Sequence, residues 1–196
     1  MVMISQPKLL EYIKRHHFIT LTEAQALGVS RMSLGRLVVK GELHRVERQV
    51  YSTELDWLTD PLKKYMPVCA LMPDAVICGI SALTYYDLTD EEERKIWVAL
   101  PHEKRSRSSR CRVIRPSGLS LTLGIKKFHF GNREVRIYDQ EKTVVDAFKY
   151  LTEEVAFKAL KNYLKRKNKN MDKLLGYARR LKKPLDKTVK AIFSEE

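Results

Sequence analysis

The 196-residue sequence has little of what loosens a chain, cross-links it or carries it through a bilayer. With only 8 Gly and 7 Pro it is not fibrous or low-complexity, and a 44% hydrophobic content is ample for a core, so a globular fold is expected. Its three cysteines, Cys69, Cys78 and Cys111, form no Cys-x-x-Cys pair, and their neighbours are mostly apolar or basic. Neither a disulfide framework nor a zinc site is indicated. The longest apolar run, Met66 to Met72, is far shorter than the roughly 18 to 20 residues that span a membrane. Glu11 and other helix-type charges stand where a targeting segment would be apolar, so a cytoplasmic protein without a membrane partner is expected. The 5 His lack metal-ligand spacing, and no Ser-His-Asp order or Gly-rich phosphate loop occurs, so no metal and no cofactor are expected.

Charge is present in excess and unevenly placed. The net value is +13, yet residues 1–60 are almost neutral, with eight basic and seven acidic side chains. Residues 158–190 hold thirteen Lys or Arg against Asp172 and Asp186 alone. A field of that sign attracts phosphate backbones, anionic surfaces or an acidic protein.

The first fifty residues carry the sharpest pattern. Leu9, Leu10 and Ile13 recur at helical spacing from Ser5 to about Arg15, with Pro7 in the first turn. Thr20 and Glu23 stand at capping-box spacing and open a second short helix that ends at Gly28. Ser30 then caps a third helix, Arg31 to Lys40, with Leu34, Leu37 and Val38 on one side and Met32, Ser33, Arg36 and Lys40 largely on the other. Gly41 stops it, and the runs 43–46 and 49–51 around Glu47-Arg48 read as a small hairpin. Three helices and a hairpin in this order make a winged helix-turn-helix, whose third helix suits a DNA major groove. The candidate contacts are Ser30, Arg31, Ser33, Arg36 and Lys40 on the helix and His44, Arg45, Arg48 and Gln49 on the wing. Arg pairs bidentately with guanine, Ser and free N–H groups at a helix start hold phosphate, and wing Arg neutralises backbone charge.

Beyond a short linker, Asp60-Pro61 predicts a helix from Pro61 to about Met72, and a further helix is predicted to stop near Asp87-Leu88. Strands are predicted at 96–100, 111–115, 119–123, 127–130 and 134–138, the last two forming a hairpin about Gly131-Asn132. Helices follow over 140–150, around 155–164, around 171–181, and after Pro184 with Val189, Ile192 and Phe193 inward. The fold class is α+β: a winged helix-turn-helix over residues 1–55, then a mixed α/β domain over 60–196 with a small, mostly antiparallel sheet and C-terminal helices.

The ordered set Ala26-Leu27-Gly28-Val29-Ser30, Leu37 to Gly41, Leu43, Arg45-Val46 and Val50-Tyr51 resembles the N-terminal domain of the AbiEi-type antitoxins of bacterial abortive-infection systems. The resemblance continues through the stretch 81–90, Trp97 to Pro101, and Glu141 to Asp146. It implies a type IV toxin–antitoxin protein of phage defence that represses its own operon by binding inverted repeats. It also implies a nucleotidyltransferase-like toxin as counterpart, with or without direct contact, and a C-terminal antitoxin domain. No catalytic residue is implied. The chain departs from the expected Arg- and Gly-rich wing with Glu47-Arg48-Gln49.

Two rivals stand beside this reading. Asp139, Glu141, Lys142 and Asp146 could serve a metal-dependent DNA-processing enzyme, although their spacing suits helix capping better. A protein-interaction module with a repurposed winged helix is the other. An additional basic surface is expected from the loop residues Lys104, Arg105, Arg107 and Arg110, and from Lys158, Lys161, Lys165, Arg166, Lys167, Arg179 and Arg180. It suits DNA, RNA or an acidic toxin face. The acidic run Asp87, Asp90 and Glu91 to Glu93 reads as a solvated loop. Oligomeric state, monomer or dimer, is open.

Overall fold

The computed structural model describes residues 4–194, and side chains as far as Ile192. It divides into two compact units, Met1–Pro73 with Phe128–Val135, and Asp74–Lys127 with Arg136–Glu196.

In the first unit the predicted three helices and hairpin are present, α1 (Gln6–His16), α2 (Leu21–Ala26), α3 (Arg31–Val39), β2 (His44–Glu47) and β3 (Val50–Ser52), with one strand not predicted, β1 (Ile19–Thr20), between α1 and α2. β3 is central in a three-stranded sheet of order β1-β3-β2, antiparallel on both sides. The two-residue β1 has no pattern to betray it in the sequence and exists because Ile19 and Thr20 pair with Tyr51 and Val50. Leu9, Ile13, Ile19, Leu21, Ala24, Val29, Leu34, Leu37, Leu43 and Tyr51 form one buried cluster.

Local chemistry fixes the turns. Thr20 and Glu23 form the reciprocal capping box at the start of α2. At its end Val29 N–H donates to Ala24 O and Gly28 N–H to Gln25 O, a Schellman closure that needs a left-handed residue, supplied by Gly28 at φ +79. Ser30 caps the next helix at once, its Oγ accepting from Ser33 N–H. The same closure recurs after α3, where Glu42 N–H reaches Leu37 O, Gly41 N–H reaches Val38 O, and Gly41 takes φ +75.

The first unit does not stop at residue 55. Trp57 is buried against the Phe18 ring, 5.6 Å between centroids, and its Nε1 donates to Glu54 O at 2.9 Å. The predicted helix from Pro61 is also corrected: Asp60 does accept from Leu62 and Lys63 N–H, but the chain runs through short 3-10 turns at Asp56–Thr59 and Lys63–Tyr65 before α4 (Met66–Leu71). Pro67 has no N–H to give Lys63 O, so a continuous helix would lack a rung and begins anew at Met66.

Arg133 lies in the part of the first unit that is remote in sequence. Its side chain is 7% exposed, with NH1 2.6 Å and NH2 3.1 Å from the two Glu23 carboxylate oxygens. NH2 also donates to Phe18 O at 3.0 Å, and the guanidinium lies 4.2 Å from the Phe18 ring centroid.

In the second unit β4 (Val76–Ile77), β5 (Ile96–Ala99), β6 (Cys111–Ile114), β7 (Ile125–Phe130) and β8 (Arg133–Tyr138) form a sheet of order β6-β5-β4-β8-β7, the hairpin tip being counted with the first unit. This sheet is mixed: β4 is antiparallel to β5, while β4–β8 and β5–β6 are parallel. The helices are α5 (Gly79–Tyr85), α6 (Leu119–Thr122), α7 (Gln140–Tyr150), α8 (Glu153–Leu164), α9 (Met171–Arg180) and α10 (Asp186–Ser194). α7 is the hub and packs on α5, α8 and α9. The strand expected over 119–123 is a helical turn, because Leu121 N–H closes on Gly118 O and Leu123 N–H on Leu119 O. Tyr138 OH donates to Leu121 O at 2.8 Å and satisfies a carbonyl that a strand would have paired. Val189 and Ile192 are buried as expected; the Phe193 side chain lies outside the described residues.

Burial pushes the Glu23 carboxyl up, but hydrogen bonds from Arg133 and Thr20 and the guanidinium charge hold it below its usual 4.5. A carboxylate lowered by folding contributes stability above its unfolded pKa and loses it as pH falls through the folded value. Arg133→Ala is therefore expected to cost about 2–3 kcal/mol at neutral pH, read from urea unfolding. The gap from wild type is expected to narrow on acidification below about pH 4; an equal gap at both pH values contradicts the role given to the ion pair.

Candidate nucleic-acid interface

α3 presents two faces because its Ser30 cap and the closure at Gly41 set its limits, while Leu34 and Leu37 turn one side into the core. Ser30, Arg31, Arg36 and Lys40 are exposed and Ser33 is half-buried. Ser30 and Ser33 are engaged with each other, Oγ to Oγ at 3.0 Å, in addition to the cap. Of the wing residues, His44, Arg45 and Arg48 are exposed and Gln49 is half-buried. Gln49 adopts φ +66, the left-handed turn that an expected wing glycine would have taken, and its carbonyl accepts from Leu21 N–H at 2.8 Å. Glu47, by contrast, is buried and accepts from Arg48 N–H at 2.7 Å.

A groove of about 320 Å³ runs beside α3, lined by Ile4, Gln6, Leu9, Gly28, Val29, Ser33, Arg36, Leu37 and Lys40. Its floor is apolar and its lip carries two cations. Sequence reasoning placed Met32 outward but overlooked Val39. These are the most exposed large apolar side chains among the described residues, at 71% and 89%. The signal was there, since residues seven apart on a helix share a stripe.

The eleven residues of the expected basic surface differ in their surroundings. Lys104 pairs with Asp74 at 3.0 Å, Lys158 with Asp90 at 2.5 Å and Arg179 with Asp186 at 3.4 Å. Arg166 donates to the carbonyls of Tyr86 and Asp87. Arg105, Arg107, Arg110, Lys161, Lys165, Lys167 and Arg180 are exposed. Asp87, Asp90, Glu91 and Glu92 of the acidic run are exposed, as expected, and three of them pair with cations: Asp87 with Arg166 just past α8, Asp90 with Lys158 of α8, and Glu92 with Arg94 at 3.0 Å.

The four residues of the rival catalytic set meet at α7 but in two separate arrangements. Asp139 caps the helix through Lys142 N–H at 2.9 Å, pairs with Lys173 Nζ at 3.0 Å and accepts from Tyr177 OH at 3.2 Å. Glu141 shares that Lys173 at 3.0 Å and accepts from Tyr163 OH at 2.9 Å. Burial alone raises Glu141, but its hydrogen bonds, those from Lys173 and Tyr163 among them, bring the carboxyl below its usual range. Burial likewise lowers Lys173, and its bonds to Asp139 and Glu141 raise it overall. Lys142, with a side chain 0% exposed, is bonded to Asp146 and lies 4.3 Å from the Tyr138 ring centroid. Burial drives the Asp146 carboxyl up and the Lys142 amine down against their mutual attraction. Lys173 is the member that sequence reasoning misses; it stands in the basic run with nothing to mark it as the partner of Asp139 and Glu141. No group of three or more His, Cys, Asp or Glu able to hold a metal occurs among the described residues. No helix among them is long and apolar enough to cross a membrane.

Residues 7–53 match the family model described as transcriptional regulator, AbiEi antitoxin. The matched span runs from α1 through the wing and agrees with the resemblance read from the N-terminal motifs. Comparison with curated proteins finds no match to the chain.

Asp146→Asn leaves the Lys142 ammonium buried without a counter-charge and is expected to cost about 3–5 kcal/mol in urea unfolding. Replacing both, Lys142→Met with Asp146→Leu, is expected to recover most of that loss. A single variant as stable as wild type contradicts a structural ion pair.

Proposed function

We propose, from the match of residues 7–53 to the AbiEi antitoxin family of transcriptional regulators, that the chain is a non-enzymatic DNA-binding autorepressor and antitoxin. The observation that carries this reading is the outward face of α3, with Arg31, Arg36 and Lys40 in solvent and no acidic residue from Arg31 to Val39. In this reading α3 enters the major groove of operator DNA containing inverted repeats, Arg36 donates to a base edge, and Arg45 and Arg48 of the wing neutralise phosphates. The Ser30 hydroxyl is committed to Ser33, so the helix start holds phosphate through backbone N–H groups.

The second unit restrains the neighbouring toxin, of nucleotidyltransferase-like class. The exposed cations of the loop 102–110 and of α8 and α9 add electrostatic hold on nucleic acid. A non-catalytic role is supported by the Asp139, Glu141, Lys142 and Asp146 side chains, which are all buried and each bound to an internal partner. Such groups stabilise α7; they are not poised on a substrate.

Arg36→Ala combined with Arg45→Ala is expected to weaken binding to the protein's own promoter by about 1–3 kcal/mol per lost base contact. Loss of a phosphate contact is also expected to lower the log-log salt slope by about 0.9. Both are read from anisotropy titrations across a salt series. Binding unchanged in affinity and slope contradicts the assignment and favours a protein-interaction module. Point variants suit this test better than removal of residues 1–55, because that cut strands Trp57 and Arg133 from Phe18 and Glu23.

A further inference from the structure

α3 carries more on its outer face than the cations that hold a phosphate backbone. At 100° per residue, Met32, Gly35, Arg36 and Val39 fall on one outward stripe, opposite Leu34 and Leu37. Val39 at 89% and Met32 at 71% stand apart from the other exposed large apolar side chains, Leu55, Leu119 and Phe157, which lie near 40%. Between them is Gly35, where an added Cβ would meet nothing within 4 Å, so the helix backbone itself is open to an approaching partner. Arg31 and Lys40 flank the stripe, and Arg36 lies on its edge. An apolar line bordered by cations fits a surface that is apolar in its middle and anionic at its borders.

A DNA major groove has that form at thymine: the 5-methyl group is the apolar feature of its floor, and phosphates line both edges. A second copy of the chain would bring Arg31, Arg36 and Lys40 against their own likenesses, which like-charge repulsion disfavours. We propose that Met32 and Val39 read thymine 5-methyl groups in the operator, with Gly35 allowing α3 to approach closely between them. This rests on the DNA-binding reading above and adds what that face recognises. Seven residues of helix span about 10 Å, so the two methyls are about three base steps apart in a half-site.

The test compares the protein's own promoter duplex with the same duplex carrying deoxyuridine at every thymidine, which keeps the pairing and removes the methyls. Full-length wild type is expected to bind the uridine duplex about fifteenfold more weakly, about fourfold for each of the two buried methyls. Met32→Ala with Val39→Ala, both at exposed positions and so expected to fold normally by circular dichroism, is expected to bind the two duplexes equally. Equal binding of both duplexes by wild type overturns the methyl reading and leaves the DNA-binding reading intact. A double variant that keeps the wild-type ratio overturns it too, placing the methyl contacts elsewhere. Binding to neither duplex overturns both readings, and loss of self-association or of an acidic partner in the double variant then assigns the stripe to a protein surface.

Discussion

The Glu23 carboxylate is the point at which the N-terminal unit is tied together. It accepts from Thr20 N–H at 2.8 Å and from Thr20 Oγ1 at 2.9 Å, and it faces the Arg133 guanidinium at 2.6 and 3.1 Å. One side chain thereby sets the start of α2, joins it to the end of β1 and meets the side chain of a residue 110 positions away. The direction of α2 sets the Schellman turn at Gly28, the turn sets Ser30, and Ser30 sets the rotation of α3 about its own axis. That rotation decides which residues meet the core and which meet solvent. Were it changed by a single position, Leu34 and Leu37 would leave the core and the cationic rim would be broken up.

The second unit has a counterpart at the start of α7. There Asp139 and Glu141 converge on Lys173 of α9, Glu141 meets Tyr163 of α8, and Lys142 turns inward to Asp146. The charges that in sequence suggest a hydrolytic centre thus join three helices by charge-assisted hydrogen bonds. The cost of desolvating Lys142 and Asp146 is offset by their mutual contact, by the Tyr138 ring and by the charge of Lys149 near Asp146, so the pair adds more to the uniqueness of the packing than to its free energy.

Local signals made much of this readable. The capping box at Thr20 and Glu23, the glycines at 28 and 41, and the period of Leu34 and Leu37 are short-range features, and each appears where the sequence places it. Non-local features were not readable. β1 owes its existence to pairing with β3, Arg133 has no local reason to seek Glu23, and Lys173 lies in a basic run that disguises its two acidic partners. The alternation of Leu119, Leu121 and Leu123 misled in the other direction, since none of the three is buried and the backbone closes on itself after Gly118. At the candidate interface the charged positions are legible from amphipathicity, while Val39, the last residue of α3, is apolar and carries no such mark of exposure.

The proposed regulatory role depends on α3 lying in the major groove. Dimethyl sulfate footprinting of the protein's own promoter tests it directly, because the reagent modifies guanine N7 in the major groove and adenine N3 in the minor groove. Two symmetric patches of guanine protection with wild-type protein, lost or thinned with Arg36→Ala, are the predicted result. Protection confined to adenines, or guanine protection that Arg36→Ala leaves unchanged, would contradict the placement of α3.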